Sequence, residues 1–310
     1  MMFQAATLRV VQRVLTLGTL SAAAAFLPGC IVVSHGYSDS PQYTETRTVV
    51  VPVNAGTAVD VRTRNGSVEI GSGAAPEAVV VATLRARTQQ RLDDAKLVAD
   101  DSGGTLNVRV EWPDGRAQPG EGCSVKIDAP APNGVHVDTS NGRITLRDTA
   151  GLADLDTSNG TIRVTNHAGE VLADSSNGAI HISDASGPVE AITSNGRIEL
   201  VNVGGRAVAN TSNGSIMAHL AESSPGPVQL RSSNGSIDLA IGSAFVGELK
   251  VSTSNGNVRL NSPATVSNMV SGRSATLQFG SGGPSSSVRT SNASVSITST
   301  SSARQPAISR

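Results

Sequence analysis

Aromatic residues are scarce: Phe, Trp and Tyr together make up 2% of the 310 residues. So small a supply excludes the large aromatic core of an ordinary globular domain. Glycine is abundant instead, at 32 residues, and Val, Ile, Thr, Ser and Asn dominate the periodic part of the chain. The first three of these favour strands, whereas Ser, Asn and Gly favour tight corners. The composition therefore predicts short strands around a thin aliphatic core.

A charge excess of either sign is also lacking, because the formal net charge is −1. Loss of Arg9 and Arg13 with an N-terminal export signal would change this to −3. Neither value provides a general attraction to nucleic acid or to anionic lipid. We therefore expect no nucleic-acid partner.

The apolar run near the N-terminus, "VLTLGTLSAAAAFLPGC", is too short to span a bilayer comfortably and ends in small residues. Two arginines precede it, as in an export signal. Its last residues resemble a bacterial lipobox, in which Leu27, Gly29 and Cys30 match and Pro28 is a less usual occupant. We predict that Cys30 is the lipidated first residue of the mature chain. The alternatives are an uncleaved anchor and ordinary signal cleavage.

Cysteine is nearly absent, with two residues in the chain. If Cys30 carries lipid, Cys123 has no disulfide partner within the chain. It lies in the alternating run "CSVKIDA", where Cys123, Val125 and Ile127 would share one face. No His or second Cys stands at ligand spacing, so we predict a buried structural thiol in preference to a reactive or metal-bound one.

Composition and periodicity divide the chain into five segments. Residues 1–29 are predicted to be a lipoprotein signal peptide, and residues 30–46, polar with Gly and Pro, a flexible tether. Such a coil holds the folded part on the order of 20 Å from the membrane. Residues 47–134 are predicted to form an irregular N-terminal β block, residues 135–298 the repeats, and residues 299–310 a disordered tail.

The four-residue sequence "TSNG" or a near copy recurs seven times. Motifs that carry catalysis occur once, so repetition at fixed spacing indicates architecture. The Asn residues of the copies are 18 residues apart four times and then 21 residues apart twice. They are Asn141, Asn159, Asn177, Asn195, Asn213, Asn234 and Asn255. Two weaker copies surround Asn65 and Asn292.

Apolar residues alternate on both sides of each Asn, which predicts two strands per repeat with one inward face each. Relative to Asn, the inward positions are +3 and +5 on one strand and −6, −4 and −2 on the other. The step from −2 to +3 is odd, so a corner must absorb one residue. We predict positive φ at this Asn-Gly corner and a column of side-chain amides bonded from coil to coil.

A second corner is predicted by an Asx-x-x-Gly spacing, which is typical of a type I turn. The Asx residues are Asp148, Asn166, Asp184 and Asn202. Together the two corners predict an all-β fold: a single-stranded parallel β-solenoid, or β-helix, of about 18-residue coils with an N-terminal irregular β capping block. A hexapeptide helix needs apolar residues every six positions, and a propeller blade needs roughly 40 residues. Neither fits.

The segment from about Val49 to Ile297, an irregular strand block followed by "T-S-N-G-x-I-x-L" coils, resembles the bacterial putative-adhesin family of envelope β-solenoids. Relatives more often carry Gly-Asp after the Ser. The resemblance implies an exported, non-enzymatic protein of the bacterial cell envelope, lipid-anchored here, on the periplasmic or surface face. It supplies no catalytic residues.

Residues that could carry chemistry are better explained by structure. No G-x-S-x-G elbow is present, and equivalent Ser residues at seven corners cannot be seven nucleophiles. The hydroxyls at −2 are predicted to form a ladder. The histidines show no metal-protease spacing and are predicted to lie at the surface, with His136 and His181 outward. No cofactor is expected beyond weakly bound calcium.

One outward column is distinctive, because position −3 is Asp138, Asp156 and Asp174 in successive coils. Like charges about 5 Å apart cost on the order of 1 kcal/mol in water. The column is either a solvated acidic face or a calcium site of the kind found in β-helix polysaccharide lyases. Two functions follow: a non-enzymatic adhesin or scaffold that contacts envelope or extracellular glycan or protein, or a calcium-dependent polysaccharide-binding or lyase-like protein.

Overall fold

The computed structural model describes residues 9–14, 43–261, 265–270 and 272–299. Within these ranges the protein is all-β, and every strand belongs to one hydrogen-bonded sheet. No helix in these ranges is long and apolar enough for a membrane span. Cys30, His35 and most of the predicted signal peptide, tether and tail lie outside the described residues.

The N-terminal block contains eight strands, one α-helix and one 3-10 helix. Its strands are β1 (Arg9–Val14), β2 (Tyr43–Pro52), β3 (Ala58–Arg62), β4 (Val68–Ser72), β5 (Glu77–Ala86), β6 (Lys96–Ser102), β7 (Thr105–Glu111) and β8 (Gly122–Ala129). Helix α1 (Gln89–Asp94) has Thr88 as its N-cap, and the 3-10 helix is Pro113–Gly115.

The repeats follow as thirteen strands, and two further pairs end the chain. The repeat strands are β9 (Asn133–Thr139), β10 (Ile144–Thr157), β11 (Ile162–Ala168), β12 (Val171–Ser175), β13 (Ile180–Ala185), β14 (Val189–Thr193), β15 (Ile198–Val203), β16 (Ala207–Thr211), β17 (Ile216–Leu220), β18 (Val228–Ser232), β19 (Ile237–Ile241), β20 (Gly247–Thr253) and β21 (Val258–Asn261). The last strands are β22 (Thr265–Val270), β23 (Ser274–Phe279), β24 (Ser286–Thr290) and β25 (Val295–Ser299).

Strands of successive repeats pair in parallel, each residue with its equivalent one repeat later. Ile144 lies opposite Ile162, and Ile162 opposite Ile180, each 18 residues further along the chain. On the second set of strands, Leu155 pairs with Ala173 in the same register. This register places equivalent residues of successive repeats in columns that run across the sheet.

The inward faces that the alternation predicts are the faces that the structure buries, except on β21, where Val258 and Leu260 are half-buried. Ile144, Leu146, Ile162 and Val164 are fully buried. The residues at −6, −4 and −2 are also buried along β9 to β20. Because a β-strand alternates its side chains, the intervening residues face outward. The core is aliphatic, as the scarcity of aromatics predicts.

The coil of Asn65 stacks directly on that of Asn141, although 76 residues separate the two. Strand β3 pairs in parallel with β9 and β7, and β4 with β10 and β8. Antiparallel pairs of β2, β5 and β8 and of β6 and β7 continue the sheet beyond this coil. The N-terminal block therefore lies against the end of the stack of parallel repeat strands, where the sequence predicts a cap.

The last coil in the chain is not the last in the column. Strand β24 lies between β18 and β20 and is parallel to both, while β25 lies between β19 and β21. The coil of Asn292 is thereby inserted between those of Asn234 and Asn255. The hairpin of β22 and β23 connects β21 to β24, and its strand β23 pairs antiparallel with β20. This connection lets the chain return to a position between the two earlier coils.

Strands extend across two of the predicted segment boundaries, and one further strand lies inside the predicted signal peptide. Residues Tyr43 to Thr46, predicted to end the tether, begin strand β2, because the segment alternates and pairs with β5. Ser299, predicted to begin the tail, ends β25. Strand β1, inside the predicted signal peptide, pairs antiparallel with β2 in the full chain. Cleavage before Cys30 would remove β1 and free that edge of β2.

Candidate functional site

The Asn residues of the repeats form one continuous column of side-chain hydrogen bonds. Each amide nitrogen donates to the amide oxygen of the preceding coil, at distances from 2.6 to 2.8 Å. In spatial order the column is Asn65, Asn141, Asn159, Asn177, Asn195, Asn213, Asn234, Asn292 and Asn255. The amide column is present as predicted, and it makes these asparagines structural.

The prediction of positive φ at the Asn-Gly corner is wrong, since none of its Asn or Gly residues has a left-handed backbone. Glycine is required there for a different reason. A Cβ built on Gly178 would lie 1.7 Å from the carbonyl oxygen of Gly160, and Gly160 stands in the same relation to Gly142. The backbones of these successive corners are therefore too close for a side chain at Gly160 or Gly178, although Ala293 stands at the equivalent position of the Asn292 repeat.

The hydroxyls at −2 do not bond to one another, as the predicted ladder requires, but to backbone. Ser175 Oγ donates to the carbonyl of Gly160 in the preceding coil at 3.2 Å and accepts from the N–H of Gly178 at 2.9 Å. Thr193 repeats both bonds one coil later, with Gly178 and Gly196. These buried hydroxyls join coil to coil, which explains why only Thr or Ser occurs there.

Left-handed backbone occurs at the second corner instead. Asp148, Asn166, Asp184 and Asn202 have φ between 53° and 57°. The left-handed residue is thus the Asx itself, so the bend is not the predicted type I turn. Asn and Asp tolerate this conformation better than other residues with a side chain. Asn166 also donates to Asp148 at 2.6 Å, and Asn202 to Asp184 at 2.7 Å.

The predicted acidic column is aligned in register. Asp156 lies directly opposite Asp138 on one neighbouring strand and Asp174 on the other, and all three are exposed. Arg62 precedes the run and Ile192 ends it. Adjacent parallel strands are about 4.8 Å apart, so the carboxylates repel one another.

The pKa values of this column follow from that crowding. Partial burial raises the pKa of Asp156, and the charges of Asp174, Asp138 and Asp154 raise it further. Partial burial also raises the pKa of Asp174. Within the described ranges, however, no group of three or more His, Cys, Asp or Glu side chains is arranged to hold a metal ion. Calcium binding by this column stays a prediction.

His136 and His181 pair with acids at the surface, as expected of outward positions. His136 Nδ1 lies 3.2 Å from Asp154 Oδ2, and His181 Nδ1 lies 3.1 Å from Glu199 Oε2. His181 borders a shallow cleft of about 230 Å³, which also contains Arg163 and Ser183. The Ser183 hydroxyl donates to Thr165, so it is not bonded to this His-Glu pair.

His167 contradicts the prediction of surface histidines, because it is 1% exposed. Its Nε2 donates to the carbonyl of Gly151 at 2.9 Å, and its Nδ1 lies 2.9 Å from the Thr149 hydroxyl. The ring thus ties two coils together at the second corner. The alternation of apolar residues could not identify it, since the strand bends at Asn166.

Cys123 is a free, buried thiol, as predicted. Burial raises its pKa to about 12, although the charge of Arg47 acts in the opposite direction. A thiol of this kind stays protonated at neutral pH and is a poor nucleophile. Cys123, Val125 and Ile127 share the buried face of β8.

A polar cleft that sequence analysis missed lies where the N-terminal block meets the first two Asn corners. It consists of a cavity of about 720 Å³ and a neighbouring cavity of about 280 Å³, and Arg64, Arg116 and Ala117 border both. Asn65 and Asn141 line the larger cavity, and Trp112 lines the smaller. These residues are up to 77 positions apart in the sequence, so no local motif signals the cleft.

The outer wall of this cleft, the loop of residues 113–121, is held by a buried ion pair. Arg91 donates to Glu121, which is fully buried, and also to the carbonyls of Pro113 and Arg116. The hydrogen bond with Glu121 raises the pKa of Arg91. Asn65 Nδ2 donates to the Glu121 carbonyl at 2.8 Å, which ties the loop to the first corner.

No family model and no curated protein matches the sequence. Among solved structures, the chain is similar to a putative adhesin from Bacteroides fragilis, with 12% identity, a TM-score of 0.43, and coverage of 82% of this chain and 96% of that one. A putative adhesin from Parabacteroides distasonis has 9% identity and a TM-score of 0.35, over 81% and 96% of the two chains. One from Parabacteroides merdae has 11% identity and a TM-score of 0.29, over 82% and 95%. Similarity at this level assigns no ligand to the chain.

Proposed function

We propose that this protein is a non-enzymatic cell-envelope lipoprotein, an adhesin or scaffold built as a single-stranded β-solenoid. The parallel register of equivalent residues 18 positions apart supports the solenoid. In this architecture each coil packs only on its neighbours, so the column displays long outward faces on a rigid support. Such faces are suited to binding extended partners such as envelope or extracellular glycan or protein.

The observation that carries the proposal is how the repeated polar residues are used. Asn177 bonds to the Asn residues of both neighbouring coils, and Ser175 bonds to two backbone groups. A side chain held in this way is not available as a nucleophile or as a general base. The most frequent polar residues of the chain are therefore explained by stacking.

The lipid anchor is the part of the proposal that sequence alone supports. Lipidation of Cys30 would tether the folded part to a membrane of the bacterial envelope, and no membrane-spanning helix is then needed for attachment. Cys30→Ser should leave the chain unlipidated and move it from the membrane fraction to the soluble fraction. An unchanged distribution would show that the lipobox resemblance is misleading.

Binding is tested with the full-length chain, purified in detergent, on an array of envelope and extracellular glycans. The same glycans are incubated with the protein, and their products are separated to detect cleavage. Binding without cleavage supports the adhesin. Release of unsaturated or hydrolysed products would contradict a non-enzymatic role, and absence of binding to every glycan would leave only a scaffold for protein partners.

A second candidate function rests on the alignment of Asp138, Asp156 and Asp174 in register. Carboxylate oxygens are the ligands that calcium prefers, although three of them on a flat sheet need water or substrate to complete the coordination. This arrangement favours a calcium-dependent polysaccharide-binding or lyase-like protein. His136 lies beside the column and pairs with Asp154, but no described hydroxyl or lysine is bonded to it.

A further inference from the structure

We infer that the cleft between the loop of residues 113–119 and the corners of Asn65 and Asn141 binds an acidic sugar unit of a polysaccharide. This inference deepens the proposed function, because it names a ligand class and a place for an adhesin that contacts glycans. Of the acidic column it uses Asp138 alone, which borders the smaller cavity, and it does not depend on the lipid anchor.

The cleft is large enough for a sugar ring. The two neighbouring cavities have volumes of about 720 and 280 Å³, which is the range of small-molecule sites. A single water molecule takes about 30 Å³ of liquid volume, so the cleft is far larger than an isolated inorganic anion needs. The lining is mainly polar, which favours a polar ligand of at least one sugar ring.

The cleft also carries two arginine side chains. Arg64 and Arg116 are exposed and border both cavities, and within the described ranges neither guanidinium makes an ion pair. Asp114 also lines the larger cavity, and its carboxylate lies 3.3 Å from Arg91, whose guanidinium pairs with Glu121 as well. A guanidinium binds a carboxylate through two parallel hydrogen bonds. The pair of arginines therefore favours a ligand that carries a carboxylate or a similar planar anion.

The remaining side chains distinguish a sugar from a simple anion. Trp112, the single tryptophan of the chain, lines the smaller cavity together with Asp138. An indole is an apolar surface with a polar edge, which suits the C–H groups of a sugar ring. The Asp138 carboxylate can only accept hydrogen bonds, so it suits sugar hydroxyls and repels a second anion. Gln118 in the larger cavity can both donate and accept.

The cleft is preorganised before any ligand binds. The fully buried Glu121 accepts from Arg91 and from the N–H of Gln118 at 2.8 Å, while Arg91 also holds the carbonyl of Arg116. On the opposite wall, Asn141 is fixed by its 2.6 Å bond to Asn65. Holding both walls in advance reduces the entropy that binding must overcome.

The test uses the fluorescence of Trp112, which reports on this cleft alone because it is the only tryptophan. The full-length protein in detergent is titrated with a tetrasaccharide of galacturonate, with neutral cellotetraose, and with inorganic phosphate. We expect a saturable change with the acidic tetrasaccharide, at concentrations at least tenfold below those at which either of the other two acts. Calorimetry of the same titrations measures the affinity independently.

Arg64→Gln and Arg116→Gln should each weaken binding of the acidic tetrasaccharide at least tenfold. Arg259→Gln, an exposed arginine on β21 at the other end of the column, is the matched control and should change nothing. Equal affinities for phosphate and the acidic sugar would reduce the cleft to a simple anion site and overturn the inference. So would affinity unchanged in both cleft variants. If both variants bind the acidic tetrasaccharide as tightly as the wild type and glycans are still bound on the array, the cleft fails while the proposed adhesin stands.

Discussion

The side chain of Asn292 donates a 2.7 Å hydrogen bond to Asn234, which precedes it by 58 residues. Asn255 lies between them in the sequence but beyond them in the column, where it bonds to Asn292 at 2.8 Å. The final coil thus separates two coils that are consecutive in the chain. Its strands supply the hydrogen-bond partners of β18 and β19 on one side and of β20 and β21 on the other.

Truncation after residue 283 should therefore destabilise the C-terminal part of the column. It removes β24 and β25 together with the buried side chains of Val288, Val295 and Ile297. We expect the melting temperature to fall by on the order of 5 °C or more, and the amides of β21 to lose protection from hydrogen exchange. Truncation after residue 299 is the control. Full protection after the first truncation would mean that the coil of Asn255 stacks directly on that of Asn234.

Gly178→Ala should already be strongly destabilising, because its Cβ would meet the Gly160 carbonyl. The backbones must separate, or the corner must shift, to make room for the methyl group. We expect the free energy of unfolding to fall by about 3 kcal/mol, the upper end of the usual cost of overpacking a core. Ala179→Val, at the next and partly exposed position, is the matched control and should cost far less. Urea denaturation of both variants measures the difference. Equal midpoints would show that the corner relaxes without cost.

Asp156→Asn should stabilise the protein at neutral pH. The pKa of Asp156 is raised in the folded state by burial and by neighbouring carboxylates, so ionisation favours the unfolded chain. In the unfolded chain this carboxyl has a pKa of about 3.9, and in the folded protein its pKa is higher. Its protonated form therefore stabilises the folded protein at low pH, and this stability is lost as the pH rises through the folded-state pKa. The variant avoids this loss. Because Asp156 is exposed, the gain should stay below about 1 kcal/mol at pH 7 and vanish near pH 3.

Melting curves of Asp156→Asn and wild type at pH 7 and pH 3 measure this difference. Asp238→Asn changes an exposed carboxyl that faces Met217 and Ser296 on the neighbouring strands, and it serves as the control. It should give no comparable gain at pH 7. A variant at Asp156 that is less stable than wild type at neutral pH would mean that this carboxylate is compensated.

Calcium at millimolar concentration should raise the melting temperature of the wild type if the acidic column holds a cation, because ligand binding stabilises the native state by mass action. Asp156 is opposite both other carboxylates, so Asp156→Asn should remove most of the effect. Magnesium at the same concentration is the control for ionic screening. Absence of titration heat, with equal calcium response in both proteins, would leave a solvated acidic face.

Some of the candidate site could be anticipated from local sequence because it depends on fixed spacing. Asp138, Asp156 and Asp174 share a column because each stands three residues before its Asn, and the strand period then decides their face. The cleft could not be anticipated in this way. Arg64 and Arg116 line the same cleft only because the N-terminal block folds back on the first coil. The loop that contains Arg116 is held by the pair of Arg91 and Glu121.

The sequence by itself determined the period, the two inward faces and the Asn column, because side-chain alternation and equal repeat lengths bring equivalent residues together. Only the tertiary structure decided why Gly178 must be glycine, since the constraint comes from a carbonyl of the neighbouring coil. It alone decided the place of the Asn292 coil between those of Asn234 and Asn255. Every strand edge offers the same kinds of backbone donors and acceptors, so the order of the repeats in the sequence does not by itself set their order in the sheet.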